Sequence, residues 1–177
     1  MDKNTSELND FKSFIKILNK NNVQYLIVGA YATIQHTNIS RYSKDIDFWI
    51  KDSEENAIKC TRAIKEFISI DIDYKKFLDK DSYYSMGIEP NRIDIFVTQG
   101  NLDFQKAWES RVDENFIDIR AHFISKEDLI KVKEYYNREI DRKDMIRLKN
   151  TEKVIDRKKE KQKNARKTRG NTSKREL

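Results

Sequence analysis

A chain of 177 residues is long enough for one domain around a small core, and with 37% hydrophobic against 37% charged residues much of it must be solvated. Cys60 is the only cysteine, which excludes an intrachain disulfide and argues against a cysteine-based zinc site. The net charge of +6 is uneven: residues 153–177 hold eleven Lys and Arg against three Asp and Glu, leaving the rest slightly negative.

The opening MDKNTSELNDFK lacks an apolar leader core, and no run approaches the roughly 18 apolar residues of a membrane span. A cytoplasmic location with no membrane partner is therefore expected. Leu8, Phe11, Phe14, Ile15 and Leu18 recur at helical spacing, and Asn21-Asn22 supplies a stop. Gln24–Val28 reads as a short buried strand ending at Gly29, followed by a short helix over Ala30–Gln35 and a second strand over Lys44–Ile50. Asp52-Ser53 caps a helix over Glu54–Phe67, whose Ala57, Cys60, Ile64 and Phe67 share a face. The alternation of Ser69–Tyr74 predicts a half-exposed strand, and Ser82–Gly87 with Arg92–Thr98 predicts a strand pair joined through Glu89-Pro90-Asn91.

Farther on, Asp103–Ser110 suits a short helix, and Val112–Ile117 and Ile119–Ile124 suit two strands. Ser125-Lys126-Glu127-Asp128 resembles a capping box that opens a helix running to about Tyr136. A last helix starts near Arg138–Asp141 and continues past Leu148. The expected fold class is α/β or α+β, a mixed sheet flanked by helices with a helical C-terminal region. Residues 1–152 form the domain on this reading, and 153–177 form a basic, mobile tail.

The chemistry concentrates in three apolar runs. Alternation along a strand puts Asp45 and Asp47 on one face, about 7 Å apart at their Cα atoms, with Ile46, Phe48 and Ile50 on the other. Asp94, in Arg92-Ile93-Asp94-Ile95, offers a third carboxylate from a later strand. Three carboxylates together make a hard ligand set able to hold Mg²⁺, or Mn²⁺, for work on a triphosphate. Asp71-Ile72-Asp73 has the same local pattern without the context, and reads as wet-face carboxylates. The context that separates Asp45 and Asp47 is the upstream strand–Gly29–helix unit and the polar approach Arg41-Tyr42-Ser43-Lys44. Gly29 permits close approach of backbone N–H groups to a phosphate at a helix N-terminus, although a plain tight turn uses glycine too. No Walker A loop or GxGxxG fingerprint occurs. His36 and His122 lack metal-ligand spacing; a structural role is favoured for both, with a substrate contact near the loop as the alternative for His36, and Cys60, Trp49, Trp108, Tyr135 and Tyr136 read as packing or interface residues.

Gly29-Ala30-Tyr31-Ala32, then Arg41-Tyr42-Ser43-Lys44-Asp45-Ile46-Asp47, then Arg92-Ile93-Asp94-Ile95 resembles the nucleotidyltransferase superfamily of DNA polymerase beta type. The closer likeness is to small prokaryotic abortive-infection and type IV toxin–antitoxin nucleotidyltransferases, over roughly residues 23–150. The resemblance implies that Gly29 and Ala30 hold the triphosphate, with Ser43 and Lys44 beside it. It implies Asp45 and Asp47 as metal ligands, and Asp94 as the third ligand and base. It also implies nucleotide contacts from Lys133 and from the Lys143-Asp144 pair. Ala30 replaces the usual second glycine or serine, Ser43 replaces a threonine, and Arg147 replaces an aspartate often found three residues after the pair.

The activity so implied is transfer of a nucleoside monophosphate from an NTP to an acceptor hydroxyl. RNA, such as a tRNA 3′ end, is the favoured acceptor, with protein nucleotidylylation next and small-molecule modification third. Arg157, Lys158, Lys159, Arg166, Lys167 and Arg169 in the tail could neutralise RNA phosphates, as they could equally serve an acidic protein or solvent. A cognate toxin or antitoxin protein is the further partner that the likeness implies. The rival is a non-catalytic binding protein of the same fold in a toxin–antitoxin or phage-defence complex.

Overall fold

The computed structural model describes residues 3–151; the basic tail read at 153–177 lies outside the described residues. α1 (Lys3–Lys20) presents Phe11, Phe14, Ile15 and Leu18 to the core, all fully buried. The chain then enters β1 (Tyr25–Ile27), α2 (Gly29–Thr37), β2 (Asp45–Ile50) and α3 (Glu54–Ile68). A 3₁₀ turn at Tyr74–Leu78 precedes β3 (Tyr83–Met86) and β4 (Arg92–Phe96). α4 (Phe104–Glu109), the hairpin β5 (Val112–Phe116) and β6 (Ile119–Phe123), and α5 (Lys126–Tyr136) follow, and a last helix, α6, spans 139–151. Among the described residues no helix is long and apolar enough to cross a membrane.

The six strands form one mixed sheet in the order β3-β4-β2-β1-β6-β5, so the fold is the expected α+β arrangement of a sheet flanked by helices. β2 lies antiparallel to β1 and parallel to β4, while β1 lies parallel to β6. One sheet face carries Phe48 and Tyr25, against which Phe14 of α1 packs, with Phe67 of α3 on its other side. On the opposite face Trp49 meets Phe104 of α4 edge to face. Asn56, buried in the first turns of α3, donates to the carbonyls of Gln24 and Lys51 and accepts from the Gln24 amide. It thereby ties α3 to the far ends of β1 and β2, beside the Lys51 amide that also donates to the Gln24 carbonyl.

The strand expected at Ser69–Tyr74 does not form. Ser69 ends α3 in the left-handed region, and its amide bonds back to Lys65. Asp73 instead caps the 3₁₀ turn by accepting from the Lys75 amide, and exposed Asp71 pairs with Lys65. The left-handed end of α3 and the capped 3₁₀ turn thus take up the segment's backbone in place of a strand. The other expected elements occur with ends shifted by a residue or two, the strands trimmed and α2 and α3 extended.

Candidate active site

Strand direction decides where the site lies. β1 and β6 end, and β2 and β4 begin, at the same edge of the sheet. Gly29 after β1, Asp45 and Asp47 on β2, Arg92 and Asp94 on β4, and α5 after β6 are thus gathered there. They open onto a cavity of about 290 Å³ that also includes Ala30, Arg41, Tyr83 and Ile140. A second cavity, of about 220 Å³, adjoins it, sharing Gly29, Asp47, Phe96, Lys133, Arg138 and Asp141.

Register brings the carboxylates together. Asp47 is paired with Asp94 and Asp45 with Arg92 across the parallel β2–β4 ladder, so all four side chains leave one face. The Arg92 guanidinium donates Nη2 to Asp45 Oδ2 and Nε to Asp94 Oδ2, the latter at 3.1 Å. Its Nη1 reaches Glu89 Oε1 at 3.3 Å. Ser85 of β3 donates to the other oxygen of Asp94, and Ser43 donates to Asp45 Oδ1 at 3.3 Å. Among the described residues Asp47 has no such guanidinium. Burial first, then the charges of Asp45 and Asp94, push its carboxyl from 3.8 up to about 7, with Lys133 and Arg138 pulling the other way.

Gly29 is built around that carboxylate. Its φ of +61° lies in the left-handed region, and a Cβ there would overlap Asp47 Oδ2. The Val28 amide also donates to the Asp47 carbonyl at 3.0 Å, which locks β1 to β2 just where the turn begins.

Lys133, on the third turn of α5, is buried between two carboxylates of α6. Its Nζ stands 2.9 Å from Asp144 Oδ2 and 3.7 Å from Asp141 Oδ1. Arg41 and Arg147 also approach Asp144, and Arg138 grips Asp141 through Nε at 2.7 Å. α5 is fixed for this task by Ser125, whose hydroxyl caps the Asp128 amide, and by left-handed Asn137 at its other end.

The remaining candidates stand apart. Lys44 is exposed and paired with Glu89, and Lys143 is exposed and paired with Glu139; neither lines the two cavities. Asp144 is fully buried beneath Lys133 and lines neither cavity. His36 bonds the Ile124 carbonyl at 2.8 Å, so its Nε2 carries the proton, and it ties α2 to the end of β6. His122 bonds Asp113 and packs beside Tyr25 and Trp108. The tail cations lie outside the described residues.

Arg92 and Arg138 line the cavity although their sequence positions assign them no role. Arg92 had a signal: it sits two residues before Asp94, and the alternation that pairs Asp45 with Asp47 pairs these as well. Arg138 had none, since only the sharp turn at Asn137 aims it inward.

Three carboxylates on one sheet face form a hard oxygen set that suits Mg²⁺ or Mn²⁺. Among the described residues, no three His, Cys, Asp or Glu side chains stand grouped as a ready cation site. The guanidinium of Arg92 stands between Asp45 and Asp94. The donor types are those a hard divalent cation takes, and in this structure Arg92 occupies the place between two of them. No family model and no curated protein matches the chain.

Proposed function

We propose that the chain is a Mg²⁺- or Mn²⁺-dependent nucleotidyltransferase that moves a nucleoside monophosphate from an NTP to an acceptor hydroxyl. The observation that carries this reading is the convergence of Asp45, Asp47 and Asp94, from two adjacent parallel strands, on a cavity that begins at Gly29. A divalent cation bound there supplies charge neutralisation for the triphosphate and lowers the pKa of the attacking hydroxyl. Asp45, Asp47 and Asp94 would hold it, while Arg138 places positive charge near Asp47 for the phosphates. Asp94 accepts the proton of the acceptor hydroxyl. The acceptor oxygen bonds to the α-phosphorus, the bond from that phosphorus to the bridging oxygen breaks, and pyrophosphate leaves. RNA is the favoured acceptor, for which a tRNA 3′ end presents the needed hydroxyl, and a toxin–antitoxin or phage-defence setting with a protein partner accompanies that choice.

A second reading, a non-catalytic binding protein of the same fold, is favoured by one feature: Arg92 already neutralises two of the three carboxylates.

Calorimetric titration of Mg²⁺ with each NTP into the wild type, Asp45→Asn and Asp47→Asn proteins separates the two. Metal-dependent NTP binding that both substitutions abolish, with cooperative unfolding retained, is the expected outcome, and it selects the donor for an acceptor screen. A wild type that binds no NTP at any Mg²⁺ concentration overturns the enzyme in favour of the scaffold.

A further inference from the structure

We infer that Arg92 is a resident cation of this site, which competes with the divalent ion for the oxygens of Asp45 and Asp94 and is received by Glu89 when displaced. The inference rests on the reading of these carboxylates as cation ligands.

Arg92 projects from the same sheet face as Asp94 and lies directly opposite Asp45 in the ladder, so its guanidinium can reach both carboxylates. Two of its donors end on carboxylate oxygens, Asp45 Oδ2 and Asp94 Oδ2, of residues that line the cavity. A divalent cation held by these carboxylates would draw on the same oxygens, and a second positive charge at the same place is repelled. The remaining donor, Nη1, already touches Glu89, whose carboxylate belongs to the turn between β3 and β4. Glu89 is itself half-exposed and held by Lys44 at 3.0 Å, so it forms an acceptor outside the cluster within reach of the same side chain. The side chain of Arg92 is 31% exposed against 6% for Asp94, which leaves the guanidinium room to swing outward while the carboxylates stay in place.

A merely supporting arginine behaves in the opposite way. If Arg92 only oriented the carboxylates from behind, its removal would loosen the ligand set and weaken cation binding. A competitor, when removed, strengthens binding. The sign of the change therefore decides between the two roles.

The test is titration of Mn²⁺, followed by electron paramagnetic resonance, into the full-length wild type and the Arg92→Gln, Glu89→Gln and Asp45→Asn proteins, with no nucleotide present. Arg92→Gln is expected to lower the Mn²⁺ Kd by about tenfold, as loss of one nearby positive charge implies. Glu89→Gln, a change on an exposed turn that leaves the core untouched, is expected to raise the Kd about twofold by removing the alternative acceptor. An unchanged or higher Kd in Arg92→Gln, with Asp45→Asn still abolishing binding, overturns the competition but leaves the cation site standing. If Arg92→Gln fails to fold, an unchanged or lower Kd in Glu89→Gln overturns it instead. Absence of Mn²⁺ binding in the wild type and in folded Arg92→Gln alike overturns both the competition and the reading on which it rests.

Discussion

Asp47 differs from its two neighbours because, among the described residues, no cation is bonded to it, and its titration should report that difference. Its carboxyl sits near 7 in the folded protein against an ordinary 3.8, so between those values the folded chain keeps a proton that the unfolded chain has lost. Stability contributed by this group therefore falls as pH rises from about 4 to about 7, in buffer free of divalent ions. His36 opposes this trend, since burial lowers its pKa and folding stability is lost as pH drops below 6.5. The difference between wild type and Asp47→Asn isolates the carboxylate: the denaturant midpoint gap should widen in favour of the variant as pH increases. A gap independent of pH would show that Asp47 is already ionised and compensated. Period-two alternation was enough to place Asp45 and Asp47 on one face, while the side of the sheet that Asp94 takes is fixed only by the β2–β4 register. The alternation held for Arg92 and Asp94 equally, but a lone cation beside a carboxylate has no distinctive spacing, and its position between two strands depends on a register that only pairing reveals.

At the level of elements, the joint between α5 and α6 is the part of the site most dependent on tertiary structure. The capping box from Ser125 made α5 readable, and the one local mark that separates Lys133 from exposed Lys131 is its place four residues after Leu129, on the buried face. Burial of Lys133 follows from the aspartates that α6 brings to it, Asp141 and Asp144, and from the left-handed turn at Asn137. Lys133→Ala leaves both aspartates buried with one cation fewer, and should lower folding stability by about 3 kcal/mol. Chemical denaturation checks this, and a loss under about 1 kcal/mol would mean that Arg41, Arg138 and Arg147 suffice. Any activity defect of a Lys133 variant must accordingly be separated from unfolding. Lys143, one residue before Asp144, faces outward to Glu139, which shows how a helix sends adjacent charges to opposite environments. The Asp71–Asp73 segment misleads for a related reason: alternating Asp and Ile describes a capped surface turn as well as a strand edge.

For the whole molecule, the separation of charge is the property with the clearest consequence. The described body is close to neutral while residues 153–177 hold the excess of Lys and Arg. If an RNA acceptor is held by that tail, deleting 153–177 should weaken binding and flatten its dependence on salt, by about 0.7 in log–log slope for each single-strand phosphate that the tail neutralises. Filter binding across a salt series reads this directly, and an unchanged slope would assign RNA binding to the folded body. The close approach of Gly29 to Asp47 bears on a different matter, descent. Because any side chain at 29 would collide with the carboxylate, the two positions cannot drift independently. Among diverging copies of this gene, replacement of the glycine should therefore be tolerated only in lineages that have already given up the aspartate, so the smallest residue in the site keeps a record of whether its chemistry was retained.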